Sequence, residues 1–383
     1  MDTVIVSSQN PILRFAVKEV KEKAPKGFDF ALFSISPNYP YQDVPATIRK
    51  EFGSINYVGF SSNSAFENIR VVNDGIVGCF FKFSSPKTKV STYVRDNVSR
   101  DNREDIKREI EEFLTGKEEK LNIVIADFID GEFPILLEDL GKEFQKKGIK
   151  TSLIGGIIAT PMRDNRRQKG FLFHNGSVIE NGFVIISFSN LDFQFRVSSG
   201  IFKKGPVYTV TKTDTFKIYE LNGKPASYLP RKLLKDIEPS NDNKTLLWYT
   251  PFGIINEENE IEALRVIRSF TDDYIELWGP VKKGERLKLS IVLSTEMIKD
   301  TEKTAENLKN SFGMVDFSFN FSCIAREKIL EDFENEEIEL YCRLLNAPLF
   351  GFYTHGEVAK RNGKLRIHNL TSTIVAVRER YEL

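Results

Sequence analysis

One succession of elements recurs along the chain, and it constrains the fold more than any single motif. Phe28–Ser36 (FDFALFSIS) reads as a strand, Pro45–Phe52 as a helix, and Asn56–Phe60 as a second strand running into Ser61-Ser62-Asn63-Ser64. Two more strands are expected near 69–72 and 75–83. The order returns at Leu121 (LNIVIADFI). The helix Pro134–Lys147 carries Leu136, Leu137, Leu140 and Phe144 at helical spacing, and Ser152–Gly156 is the second strand. A hairpin of 170–174 and Phe183–Phe188 then turns about Asn175-Gly176. A third copy begins at Val315–Cys323 (VDFSFNFSC). Its helix is Glu334–Leu345, its second strand Pro348–Tyr353, and its hairpin strands Lys364–His368 and Thr373–Val377. Amphipathic helices precede the copies, marked by Leu13, Val17 and Val20, by Ile106, Ile110, Phe113 and Leu114, and by Ile298, Ala305, Leu308 and Phe312.

The expected class is therefore α/β (mixed α+β): repeated helix–strand–helix–strand–loop–hairpin units forming mixed sheets. A strand–helix–strand crossover is parallel and right-handed, and the closing hairpin is antiparallel. Two such sheets face to face would give a four-layer α/β/β/α body. The expected division is 1–192, holding units over about 9–84 and 103–189, and 193–383, holding an irregular β-rich part (193–293) and a third unit (296–378). Within the irregular part strands are expected at Val207–Thr211, Phe216–Leu221, Leu246–Thr250 and Leu287–Leu293, and a helix near Ala226–Lys235. A degenerate fourth unit is one reading of it.

Lys plus Arg and Asp plus Glu balance at 54 each, which disfavours a strongly basic nucleic-acid binder. The charges of 101–120 read as the solvated face of the second leading helix. No apolar run approaches the length of a membrane span, and no secretory leader is visible, so a cytoplasmic protein without membrane insertion is expected. Cys79, Cys323 and Cys342 have no CxxC spacing, and the three histidines are scattered. Neither a disulfide framework nor a metal site is indicated.

Ligands of such sheets gather beyond the carboxyl ends of strands. In each unit the second strand reaches a glycine and a polar loop. The candidates there are Gly59, Ser61 and Ser62, then Gly155 and Gly156, then the Gly351–Glu357 run. The third unit is richest in chemistry, with Cys323 and Arg326 after its first strand, Thr354, His355 and Glu357 after its second, and His368 and Asn369 beside its hairpin. Arg326 could grip a carboxylate and Glu357 an amine, together reading a zwitterion, or the two could pair with each other. No GxGxxG or P-loop pattern is present.

FNFSCIAR (319–326), LFGFYTHGEV (349–358) and His368-Asn369-Leu370-Thr371 resemble the C-terminal FIST domain (F-box and intracellular signal transduction), as does YELNGKPA (219–226). Ile154-Gly155-Gly156, His174-Asn175-Gly176 and Gly182–Phe188 resemble its N-terminal partner domain. The chain departs from the family pattern at Phe60–Ala65 and at Gly200–Lys203. The resemblance implies a sensory module for a small ligand, amino acids being the usual class. It also implies a separate signalling partner protein, and in some members haem. Two alternatives stand beside it. One is an enzyme using Cys323 as nucleophile, with Arg326 lowering its pKa and His355 or His368 as base. The other is a haem sensor with His355 as axial ligand, since His174 abuts a turn. A scaffold for protein contacts is the plainest reading.

Overall fold

The computed structural model describes residues 1–116, 119–127, 131–149, 151–159, 162–163, 166–167, 170–202, 205–233 and 247–380. The chain opens with β1 (Asp2–Ser8), α1 (Leu13–Lys23), β2 (Phe30–Ile35), α2 (Val44–Phe52), β3 (Tyr57–Ser61), β4 (Ser64–Glu67), β5 (Arg70–Asn73) and β6 (Ile76–Lys82). It continues through β7 (Val90–Arg95), α3 (Arg103–Leu114), β8 (Leu121–Ala126), α4 (Glu132–Lys147), β9 (Ser152–Ile158), β10 (Met162–Arg163), β11 (Arg166–Arg167), β12 (Leu172–His174), β13 (Ser177–Ile179), β14 (Phe183–Phe188) and β15 (Leu191–Ser198). A β-rich insert holds β16 (Ile201–Phe202), β17 (Val207–Asp214), β18 (Lys217–Leu221), β19 (Lys224–Pro225), α5 (Tyr228–Leu233), β20 (Phe252–Ile255), β21 (Ile261–Arg265), β22 (Ile267–Phe270), β23 (Ile275–Leu277), β24 (Arg286–Leu289) and β25 (Ile291–Val292). The chain closes with α6 (Ser294–Phe312), β26 (Phe317–Cys323), α7 (Ile324–Leu330), α8 (Glu334–Leu345), β27 (Leu349–Arg361), β28 (Lys364–His368) and β29 (Ser372–Glu379).

Three parallel pairs, β2 with β3, β8 with β9 and β26 with β27, are each joined by crossover helices. A later strand runs antiparallel against the first of each pair: β6 on β2, β14 on β8, β29 on β26. Outside that strand lies one that the sequence reading did not anticipate, namely β1 on β6, β7 on β14 and β15 on β29. The result is a six-stranded sheet, β1-β6-β2-β3-β12-β13, and an eleven-stranded sheet along β15-β29-β26-β27-β9-β8-β14-β7. The large sheet takes strands from both sides of residue 192, and β4 reaches across from the first segment to pair with β27.

The two sheets pack through phenylalanine. Phe317, Phe319 and Phe321 alternate along β26 and point at the smaller sheet, where Phe30, Phe60 and Phe81 meet them in one cluster. Phe81 meets Phe317 edge-on at 5.1 Å, and Phe60 lies 4.3 Å from Phe352. The outer faces are covered by helices: α1 and α2 on the small sheet, α3 and α4 on one end of the large sheet, α6 and α8 on the other. This is a four-layer α/β/β/α body. Within the charged 101–120 stretch, α3 buries Ile106 and Ile110, and residues 117–118 lie outside the described residues.

The insert forms an eight-stranded sheet whose described pairings are all antiparallel. It has no parallel crossover among the described residues, so the fourth-unit reading does not hold there. Residues 247–249 form a 3-10 turn rather than the expected strand, and residues 234–235 of the expected helix lie outside the described residues. Arg265 ties the insert to the main body. Fully buried, it donates to the carbonyls of Pro280 and Ile367 and pairs with Glu138 of α4, which Lys282 also contacts.

Candidate functional site

The insert, the β3–β4 loop, α7 and β27 line an open cavity of about 630 Å³. It sits where the carboxyl ends of β3 and β26 converge, as expected for a sheet with crossover connections. Asn63 and Ser64 line it from the β3–β4 loop, Asn73 and Asp74 from the end of β5, and Trp248, Val266 and Trp278 from the insert. Cys323, Ile324, Ala325, Glu327 and Lys328 line it from the β26–α7 junction, with His355 and Asn369 completing the wall. Of the residues singled out from sequence, Cys323, His355 and Asn369 thus face one cavity, whereas Ser62 is buried and donates to the Ser64 carbonyl.

His355 lies flat against Trp278, with ring centroids 5.7 Å apart and planes 5° apart. The guanidinium of Arg268 sits 4.7 Å over the same indole. Asn369 fixes the junction between insert and body, donating to the His355 carbonyl while Val266 N donates to its Oδ1. Ser64 Oγ lies 3.4 Å from Glu327 Oε1, joining the first segment to α7.

Arg326 does not reach the cavity. The turn of α7 directs it inward while Ile324 and Glu327 face the opening, because successive helical residues are about 100° apart. Its guanidinium is fully buried and paired with Glu337 of α8, also fully buried. The Nε donates to the Glu337 carboxylate at 3.0 Å, and Nη2 to Thr301 Oγ1. Its Nη1 donates to the carbonyls of Ser199 and Leu370. Arg326 and Glu357 therefore do not pair with each other, and the Arg326–Glu357 clamp on a zwitterion is not the arrangement found.

Glu357 is fully buried behind Cys323. Thr354 Oγ1 donates to it at 2.5 Å, and Thr371 donates from both its backbone N, at 3.1 Å, and its Oγ1, at 2.7 Å. Burial outweighs these donors and raises its carboxyl to about 7. The Cys323 thiol is pushed well above its ordinary value by burial, with Glu357 adding to the effect. That environment opposes the thiolate a nucleophile needs. His368 is also buried, its Nε2 against the Ala359 carbonyl, and burial lowers it to about 3.

The glycines serve packing. Gly155 and Gly156 pair with Val358 and Glu357, next to a bulge between Thr354 and Gly356 in the β9–β27 ladder. A Cβ at Gly156 would lie 2.4 Å from Thr354 Cγ2, and Gly155 at φ +149 would put one 1.9 Å from the Val124 carbonyl. Gly59 lies in the β3–β12 pairing, and Ser61 Oγ accepts from Phe171 N. None of these four lines the cavity.

A haem needs broad apolar walls and an axial nitrogen aimed at iron. The wall supplies Trp248, Val266, Trp278 and Ile324 beside its asparagines and carboxylates, and its one histidine, His355, has its ring flat on an indole. Among the described residues no group of three or more His, Cys, Asp or Glu side chains is placed to hold a metal ion. Sequence reasoning missed Trp278, Glu327 and Asp74. The one available signal was Glu327, next to Arg326 in a run whose helical phase decides which of the two turns outward.

The chain is a mixed α/β body with an open cavity at its strand ends, walled partly by the β-rich insert. Residues 29–224 match the FIST N domain and 226–360 the FIST C domain, so the chain belongs to the FIST family of signal-transduction sensory domains. An uncharacterized protein of Aquifex aeolicus is 29% identical over 269 residues, 68% of this chain and 97% of that protein. Uncharacterized proteins of Mycobacterium bovis (Mb0898c) and Mycobacterium tuberculosis (MT0897) are each 24% identical over 235 residues, 58% of this chain and 60% of theirs. Among the described residues no helix is long and apolar enough to cross a membrane.

Proposed function

We propose that the chain is a cytoplasmic sensor that holds a small charged metabolite, of the amino-acid class, in the cavity between insert and body and transmits its presence to a separate protein. The observation that carries this reading is the cavity itself. Three parts of the chain meet there, so a ligand touching all three would bias how the insert sits on the body. Glu327 and Asp74 offer acceptors for an ammonium, Lys328 a partner for a carboxylate, and the asparagines amide donors and acceptors. Cys323 and Glu357 support the wall, and no bond-making step is required.

A thermal-shift screen of amino acids and other charged metabolites tests it. A ligand present at about 100 times its Kd adds about 2.7 kcal/mol of stability. We expect a saturable shift that Trp248→Ala abolishes. A screen in which no compound shifts the melting temperature would reject the reading.

A further inference from the structure

Resting on that reading of the cavity, we infer that the site selects its ligand by an organic ammonium group set against indole, and that a carboxylate on the ligand is dispensable. The charge of the wall points this way. Two carboxylates, Asp74 and Glu327, face the opening against one ammonium, Lys328. Lys328 is 64% exposed and lies 3.6 Å from Glu327, so its charge is turned to solvent and to a partner. The other cation of the same helix, Arg326, is sealed behind the wall with Glu337. A ligand carboxylate entering here meets Asp74 and a Glu327 whose charge Lys328 already shares, so its gain is small against its desolvation cost. An ammonium meets acceptors already in place, because Ser64 holds one oxygen of Glu327 and Asn38 donates to Asp74.

The aromatic lining adds to this. Both tryptophans of the chain lie in this cavity. Cations are drawn to indole faces; Arg268 and His355 already occupy Trp278, so Trp248 is the ring left for a ligand ammonium. A cavity of about 630 Å³ also has room for an apolar body behind the ammonium.

Because no tryptophan lies elsewhere, intrinsic fluorescence reads the site directly. The probes are 2-phenylethylamine, phenylalanine and 3-phenylpropionate, which share a ring and differ in charge. We expect 2-phenylethylamine to change the fluorescence saturably, with a Kd at least tenfold below that of 3-phenylpropionate and no weaker than that of phenylalanine. Glu327→Gln should weaken the amine about tenfold with the melting temperature retained. The exposed Asp74→Asn should weaken it severalfold. Tightest binding by 3-phenylpropionate or phenylalanine, or an amine affinity indifferent to both variants, overturns the inference. If none of the three binds while another charged metabolite gives a thermal shift, the ammonium assignment falls and the sensor reading stands. If nothing binds in either screen, both fall.

Discussion

The two faces of β26 solve burial in opposite ways. Phe317, Phe319 and Phe321 face the smaller sheet and sit among other phenylalanines, with no polar group to satisfy. Ser318, Asn320 and Ser322 point the other way, toward α6 and α8, and are as fully buried. There Asn320 donates to Ser372, Ser322 donates to Glu337, and Glu337 holds Arg326. The dry face joins two sheets that any large apolar side chains could join. The polar face fixes one geometry, because Arg326 draws together α7, α8, the Thr301 hydroxyl and the carbonyls of Ser199 and Leu370. It is therefore this face, not the phenylalanine layer, that sets the angle of α7 and hence where Glu327 stands in the cavity.

Arg326→Ala would sharpen the contrast most. It strands the Glu337 carboxylate and two carbonyls without water, and chemical denaturation should show a loss of about 5 kcal/mol, the upper range for breaking a buried pair. On the other face Phe319→Ala leaves a void, with an expected loss of about 3–4 kcal/mol and unaltered ligand affinity. Should Phe319→Ala shift affinity as much as Arg326→Ala, the division of labour between the faces is wrong.

A smaller effect concerns Glu357. Its carboxyl ionises from about 4.5 in the unfolded chain but only near 7 in the folded one, because it is buried. Over that interval the folded protein binds more protons than the unfolded chain. Stability therefore falls as pH rises from about 4.5 to about 7, by about 2–3 kcal/mol in all. Unfolding curves of Glu357→Gln against pH should lack this decline. His368 acts in the other direction. Held neutral in the fold down to about 3, it costs stability as pH falls below its ordinary 6.5, and His368→Asn should be flatter on that side. A smaller loss than that of Arg326→Ala is expected in the double variant Arg326→Met/Glu337→Leu, since the apolar pair removes the stranded carboxylate while the carbonyls of Ser199 and Leu370 still lose their donor. A double variant as unstable as Arg326→Ala alone would mean that the stranded charge is not what hurts.

Periodicity made the three crossover segments and their helices legible, since long apolar-striped stretches such as Pro134–Lys147 leave little ambiguity. The outer strands β1, β7 and β15 were not. Their residues are mostly half-exposed, as at Val90–Arg95, and edge strands of that kind show no continuous apolar run. Trp248-Tyr249 read as strand because aromatic residues favour strands, yet tertiary contacts hold them in a short turn. At the site the residue types were recognised and their facing was not. Cys323, His355 and Asn369 were found with the cavity, whereas Arg326 was placed there and its neighbour Glu327, which does line it, was passed over. Glu337 escaped notice although it lies four residues before Tyr341 on the buried face of α8, a spacing that places an acid where only a buried cation can answer it.

The strand order of the large sheet also governs synthesis. β29 lies between β15 and β26, so β15 leaves the ribosome more than 170 residues before β29, its one neighbour in that sheet among the described residues. Through that interval the nascent chain holds an open strand edge, and Phe30 and Phe81 wait for partners from β26. The large sheet closes at this edge only once β26 and β29 have both been made.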